Sequence, residues 1–439
     1  MMVRSLKQTA WALALGPVVA VSAAAQDGAR PIALDEAVRS AQQNAPTAVQ
    51  ARNALRTGEQ SIRSSIAAFL PNLSLSYSGG QQGGTQFVQG TPVPFSGLPW
   101  SYNRGLTTNM NLFDGGQRWY QYKASEANLD ASGANEVLQR YAVALNVKQQ
   151  YFAVLAARES EAAARRQYDQ AVQQLKISVA KLQAGTATRA DSLTSAFAVG
   201  NARLSILNAQ NAIRNANAAL TRLVASPVTV TALPSDTLGT PRISLSDDEL
   251  ARLVADGPSV RQSSAQVTAA RATQRAQTTP YFPQLSLSGS YGQNPKNSQT
   301  FNWGGGPTST STSLRFTMSY TIWNNYTREQ QLVTARVNAD NAEANYRDAR
   351  LLAQQNLTQF VSNFRTAEET IALQLLQIQS AEEALRVVQQ RYNLGSANLL
   401  EVLQAQTNLD NARVQLINAR VNARTAKANI EALVGRDLP

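Results

Sequence analysis

Leu314-Arg315-Phe316-Thr317-Met318-Ser319-Tyr320-Thr321-Ile322 alternates strictly between apolar and polar side chains. Successive side chains of a strand point to opposite faces, so Leu314, Phe316, Met318, Tyr320 and Ile322 share one face. Arg315, Thr317, Ser319 and Thr321 share the other. The same two-residue period sets Leu106, Thr108, Met110 and Leu112 against Thr107, Asn109 and Asn111. Leu73-Ser74-Leu75-Ser76-Tyr77 and Leu285-Ser286-Leu287-Ser288 repeat it in shorter form. Strands are expected at about 73–87, 101–113, 285–294 and 312–323. About ten residues, apolar on one face and Ser/Thr/Asn on the other, fit a strand of a transmembrane β-barrel. A soluble sandwich strand alternates identically, so the flanking sequence has to decide.

Outward from each strand pair the period changes to helical. Residues 46–69 end at Leu70-Pro71, since proline disfavours helix at the residue before it. After the strands, the pattern from Thr327 to Leu394 contains no Gly and no Pro, and Gln117 to Ala184 contains one Gly, Gly133. At 1.5 Å per residue each makes a rod of about 100 Å. A second helix returns after Gly185 or Gly395. Val402, Leu409, Leu416, Ala423 and Ile430 recur every seventh residue, interleaved with Ala405, Ala412, Ala419, Ala426 and Leu433. Val199, Ile206, Ile213 and Leu220, with Ala202, Ala209, Ala216 and Leu223, make the same frame earlier. The long helix carries a matching row: Leu357, Phe360, Phe364, Ala367, Ile371, Ile378, Ala381, Leu385 and Val388. A sustained seven-residue apolar repeat specifies a left-handed coiled coil. Helices are expected over 34–69, 114–184, 188–224, 246–280, 325–394 and 398–434.

The chain is thus written twice. Leu112-Phe113-Asp114 maps onto Ile322-Trp323-Asn324 at an offset of 210, as does Lys181 to Gly185 onto Arg391 to Gly395, and Asp191 onto Glu401. A constant register over so long a stretch marks a duplicated unit. Residues 26–225 form the first copy and 246–439 the second, joined by a Pro/Ser/Thr-rich linker at 226–245. Each copy is an antiparallel coiled-coil hairpin hung from a β-hairpin: an α+β membrane protein by class.

Composition narrows the chemistry. The 439 residues include no Cys and no His, which excludes disulfides, thiol nucleophiles, His-based triads and the usual zinc and copper ligand sets. No cofactor is expected, no metal centre and no enzymatic activity. Arg4 and Lys7 precede an apolar run, Trp11 to Val21, too short to span a bilayer, and then Ala23-Ala24-Ala25. This reads as a signal peptide over 1–25, whose removal lowers the net charge from +11 to +9. The remaining charge is scattered along helices, so nucleic acid is not an expected partner. Trp100, Tyr291 and Trp323 stand near strand ends, where an aromatic girdle belongs.

Four amphipathic strands cannot close a barrel, and open sheet edges are not tolerated in hydrocarbon. Two, three or four chains together would supply 8, 12 or 16 strands. The unburied helix faces are rich in Gln, Asn, Ser and Thr, which suits a water-filled lumen. The expected object is a hollow conduit.

The chain resembles the TolC-like outer-membrane efflux and secretion channels over about Leu34 to Val434. The likeness is carried by Leu34-Asp35-Glu36-Ala37, Phe69-Leu70-Pro71-Asn72-Leu73, Leu112-Phe113-Asp114-Gly115-Gly116, and Arg391-Tyr392 with Gly395-Ser396, followed by Leu399-Leu400-Glu401-Val402-Leu403. The resemblance implies a homotrimer and a 12-stranded barrel in outer-membrane lipid, continuous with a periplasmic α-helical barrel. It also implies a periplasmic adaptor and an inner-membrane transporter as partners. Gly185, Thr186, Gly395 and Ser396 match the family's adaptor-facing tips, although glycine after a helix is also an ordinary cap. Asp191 and Glu401 match acids at the family's narrow periplasmic aperture. An acid in the first turn also complements the helix dipole. Gln404 stands where a second acid is frequent, which makes the ring less negative. Tyr392 and Asp191 match a pair that links neighbouring hairpins. Another link of the family needs a base where this chain has Ala397 and a hydroxyl where it has Ala190.

Two other readings compete. An exported coiled-coil stalk without a pore would not need the amphipathic strands. A periplasmic hydrolase would need convergent acids, and the one acidic cluster, Asp247-Asp248-Glu249, follows Ser246 in a helix-capping pattern. No nucleotide-binding P-loop is present, so energy would come from a partner. With four Met and no Cys or His, the chain offers no soft-metal relay, which disfavours a copper or silver exporter.

Overall fold

The structure, a computed structural model, describes residues 29–80, 84–95, 101–295 and 308–438. The expected signal peptide and Trp100 lie outside them. In chain order the elements are β1 (Arg30–Ile32), α1 (Leu34–Asn44), α2 (Pro46–Ala67), β2 (Asn72–Gly80), β3 (Gly84–Val88), β4 (Thr91–Phe95), β5 (Ser101–Phe113), α3 (Gln117–Gln183) and α4 (Arg189–Val224). They continue with β6 (Val230–Ala232), α5 (Asp247–Val254), α6 (Pro258–Ala276), β7 (Gln284–Pro295), β8 (Thr308–Ser319), α7 (Thr327–Asn393) and α8 (Leu399–Val434).

The duplication is realised in space. α3 and α7 have 67 residues each, and α4 and α8 have 36 each. α4 packs on α3, α8 on α7, and α3 lies against α8, which gives the order α4–α3–α8–α7 with α4 and α7 at the edges. The short helices complete the rods. Ser65 in α2 bonds Ser125 early in α3 at 2.8 Å, whereas Ser195 in α4 bonds Ser178 near its end at 2.9 Å. α2 and α4 therefore lie end to end along one long helix.

The seven-residue seam of copy two is buried as its period requires: Val402, Leu409, Ala423 and Ile430 are inaccessible and Leu416 nearly so. Copy one is looser. Val199, Ile206 and Ile213 are only half-buried, and the polar side chains Gln174, Ser178 and Ser195 sit in the interface, bonded to one another.

Several expected boundaries are corrected. The helix expected over 34–69 is two helices, because Ala45, preceding Pro46, is driven to an extended conformation (φ −61°, ψ 136°). The helix over 246–280 likewise divides at Gly257-Pro258 and ends in a 3-10 turn at Thr279–Tyr281. The strand expected over 73–87 stops at Gly80; Gly84–Val88 pairs instead with Thr91–Phe95 as a separate ribbon. The strand expected over 312–323 runs from 308 to 319. Its first half, Thr308 to Ser313, is all hydroxyls and carries no apolar alternation, but it pairs with β7 as far as Pro295. The 226–245 segment is more than a linker. β6 runs parallel to β1 there, and Val230, Ala232 and Leu238 join Tyr151, Val147 and Leu220 in a core cluster half-way along α3. Copy two builds its counterpart from Leu250, Val254, Leu357, Phe364 and Ile430.

Candidate functional site

β2, β5, β7 and β8 form one antiparallel sheet in that order, leaving β2 and β8 as edges. The register stacks like with like. Leu75 faces Leu106 and Leu106 faces Tyr291; Met110 faces Leu287 and Leu287 faces Phe316. This apolar face lies bare in the single chain: Leu75 is 82% exposed and Phe316 64%. The opposite face is held by hydroxyl pairs, Ser74 with Thr107 at 2.6 Å and Ser290 with Ser313 at 2.8 Å. No described helix is long and apolar enough to cross a membrane.

At the far end, the helical hairpins turn at Gly185 (φ +72°) and Gly395 (φ +78°). The Thr186 N–H donates to the Lys181 carbonyl at 2.9 Å and the Ser396 N–H to the Arg391 carbonyl at 2.8 Å, closing Schellman caps. An added Cβ would meet nothing within 4 Å at either glycine, so the left-handed backbone alone selects glycine there.

The two acids are built into the next helix starts. Asp191 accepts from the Thr188 N–H at 2.9 Å and hydroxyl at 2.8 Å, while its own N–H donates back to the Thr188 hydroxyl. Glu401 accepts from the Asn398 N–H at 3.2 Å and lies 3.4 Å from the Arg391 guanidinium. Both are capping boxes, so the dipole-complementing role is realised at both positions. Gln404 is exposed and donates to Asn408 at 3.0 Å.

Asp191 and Tyr392 are not brought together. The Tyr392 ring is covered by the Lys181 ammonium, 3.9 Å from its centroid, which also donates to the Tyr392 carbonyl. The Tyr392 hydroxyl is buried and has no hydrogen-bond partner among the described residues. Lys181 therefore ties the two hairpins together inside one chain. Its signal in the sequence was its place opposite Arg391 in the repeat. Asp410, between the hairpins higher up, also escaped notice. Burial pushes its carboxyl above the usual range, against the opposing pull of Arg413 and Arg166.

Both edge helices carry a further unpaired apolar row. Leu193, Phe197, Leu204 and Leu207 are exposed on α4, and Leu373, Leu376 and Val387 on α7, with Leu394 exposed just past its end. The α4 row keeps the three-and-four spacing of a coiled-coil seam with one position skipped at Gly200, whereas the α7 residues are sparser, 3 and then 11 residues apart.

With this geometry in view, a family model described as outer membrane efflux protein matches residues 37–226 and 250–436. The chain belongs to the outer membrane efflux protein family. Among its relatives is the pyoverdine export outer membrane protein OpmQ of Pseudomonas aeruginosa, 23% identical over 330 residues that span 74% of this chain and 68% of OpmQ. The probable efflux pump outer membrane protein TtgC of Pseudomonas putida is 25% identical over 58% of this chain and 52% of its own length, so that alignment spans about half of TtgC. The outer membrane protein VceC of Vibrio cholerae shares the fold with a TM-score of 0.75 at 18% identity, over 92% of this chain and 97% of VceC. Outer membrane efflux proteins are the outer-membrane components of export machinery, and this chain is one of them.

Proposed function

We propose that three copies of this outer membrane efflux protein close edge to edge into a 12-stranded barrel continuous with a helical barrel, forming a passive conduit across the outer membrane and periplasm. The observation that carries this reading is the four-stranded sheet with a bare apolar face, whose edge strands β2 and β8 each pair with only one other described strand. Such a sheet is unstable in hydrocarbon until β8 of one copy pairs with β2 of the next. The helical layer repeats the arrangement. α4 and α7 are its edges, each with uncovered large apolar side chains, and head-to-tail contacts of this kind form rings when the rotation closes.

In this reading the hydroxyl face of the sheet lines the lumen and the Gly185-Thr186 and Gly395-Ser396 turns meet a periplasmic adaptor. That adaptor joins the conduit to an inner-membrane transporter, which supplies the energy. Asp191, Glu401 and Gln404 ring the narrow end, and Tyr392 packs in the apolar cluster behind it with Leu399 and Val402. A stalk without a pore is disfavoured by the bare apolar strands. The test is conductance in a planar lipid bilayer. The purified protein should give discrete, long-lived current steps. Absence of any current from correctly inserted protein would overturn the conduit.

A further inference from the structure

The membrane-facing part of the chain has a charge pattern unlike the rest. Between Asn72 and Phe113, and between Gln284 and Ser319, there is no Asp and no Glu, although the whole chain has 29 acids. The only charged residues in these two stretches are Arg104, Lys296 and Arg315. Lys296 lies outside the described residues.

The two arginines of the sheet differ in position. Arg104 stands between Tyr77 and Gln293 on the apolar face, two residues from Leu106 and toward the loop end. An arginine among tyrosines suits the interfacial level of a membrane strand. Arg315 points the other way. It pairs across the sheet with Ser288, Ser288 with Asn109, and Asn109 with Asn72. The neighbouring rows on this face are Ser313, Ser290, Thr107 and Ser74 on one side and Thr317, Ser286 and Asn111 on the other. Arg315 is exposed, and its guanidinium forms no hydrogen bond or ion pair with any described residue. It anchors nothing in the fold, and four residues separate it from the periplasmic end of β8, about 13 Å of strand.

We propose that Arg315 forms an anion-binding ring inside the membrane part of the conduit, suited to solutes bearing phosphate or carboxylate groups. The proposal rests on the channel reading above, because symmetry turns one guanidinium into three at one level. A twelve-stranded wall encloses a lumen between that of eight strands, which side chains fill, and that of sixteen, which holds an open aqueous channel. Three arginines in such a passage face one another across little water. Rings of Arg or Lys are how pores select anions. The low-dielectric lipid around them, with no carboxylate in the wall, leaves their field uncompensated. The conduit would then be opposite in sign at its two ends, acidic at Asp191 and Glu401 and basic in the barrel.

The test uses the assembled protein in a planar bilayer with tripolyphosphate added on the barrel side. Reversible block of the unmodified channel is expected. Arg315→Gln should need at least tenfold more tripolyphosphate for half-block, and Arg315→Lys should stay within a few-fold of the unmodified protein. Arg315→Ser, which copies its neighbours, serves if the Gln variant fails to assemble. Equal block of the unmodified and charge-free channels, or no block of either, overturns the anion ring while leaving the conduit intact. An unmodified protein that never conducts overturns both.

Discussion

Lys148 shows how much one residue can hold that its own neighbourhood in the sequence never announces. Its ammonium meets Glu431 at 2.6 Å and Asp437 at 2.7 Å, joining the middle of α3 to the end of the chain. Burial opposes its charge, but the hydrogen bonds to Asp437 and Glu431 outweigh that and hold its pKa above the ordinary 10.5. Lys148→Met leaves Glu431 charged and buried, at a cost of about 3 kcal/mol, read as a lower melting temperature of the assembly. Because the folded pKa is raised, the stabilisation is complete below the unfolded lysine value and disappears as pH rises through the folded one. The unmodified protein should therefore lose stability above pH 10.5 by a component that Lys148→Met lacks. Gly115 is the opposite case, legible from Leu112-Phe113-Asp114-Gly115-Gly116 as a sharp strand-to-helix step. Its φ is +65°, and an added Cβ would lie 2.6 Å from Phe282 Cβ. Its counterpart in copy two, Asn325, takes φ +54° without being glycine. Gly115→Ala should cost about 2 kcal/mol or more. Asn325→Gly should gain up to about 1 kcal/mol by relieving a left-handed residue. Thermal melts of the two variants, shifted in opposite directions, check the pair.

At the scale of elements, the long helices were readable because glycines and capping residues punctuate them; the expected ends of α4 and α8 fall within a residue or two of the observed ones. The start of β8 was not readable, since Thr308 to Ser313 is polar on both faces and is held as a strand by pairing with β7. β6 was hidden for a related reason: three residues stabilised by a partner at the far end of the first copy have no period to detect. The seams were readable in frame but not in tightness. Leu409 is fully buried in α8, while Val199, its counterpart 210 residues earlier, is half-buried beside the polar Ser178–Ser195 contact. Leu409→Ala should cost about 2–5 kcal/mol and Val199→Ala about 1 kcal/mol, compared by thermal denaturation in detergent.

At the scale of the molecule, the duplication and the four-stranded amphipathic sheet were both legible, because an offset of 210 and four alternating segments are properties of the sequence itself. The candidate aperture was legible only as positions. The structure adds that Asp191 and Glu401 are already engaged as helix caps and that Lys181 covers Tyr392. The edges make a specific prediction. Leu207 lies 18 residues above the start of α4, and Leu376 lies 17 residues before the end of α7, so the two sit at nearly the same height on opposite edges. In this cysteine-free chain, Leu207→Cys with Leu376→Cys should give covalent dimers and trimers with a short bis-maleimide, and each single variant should not. The most direct measurement of the central claim is the mass of the unheated particle in detergent by native mass spectrometry. Three chains, falling to one on heating, is the predicted result; a single chain that needs no detergent to stay in solution would contradict it.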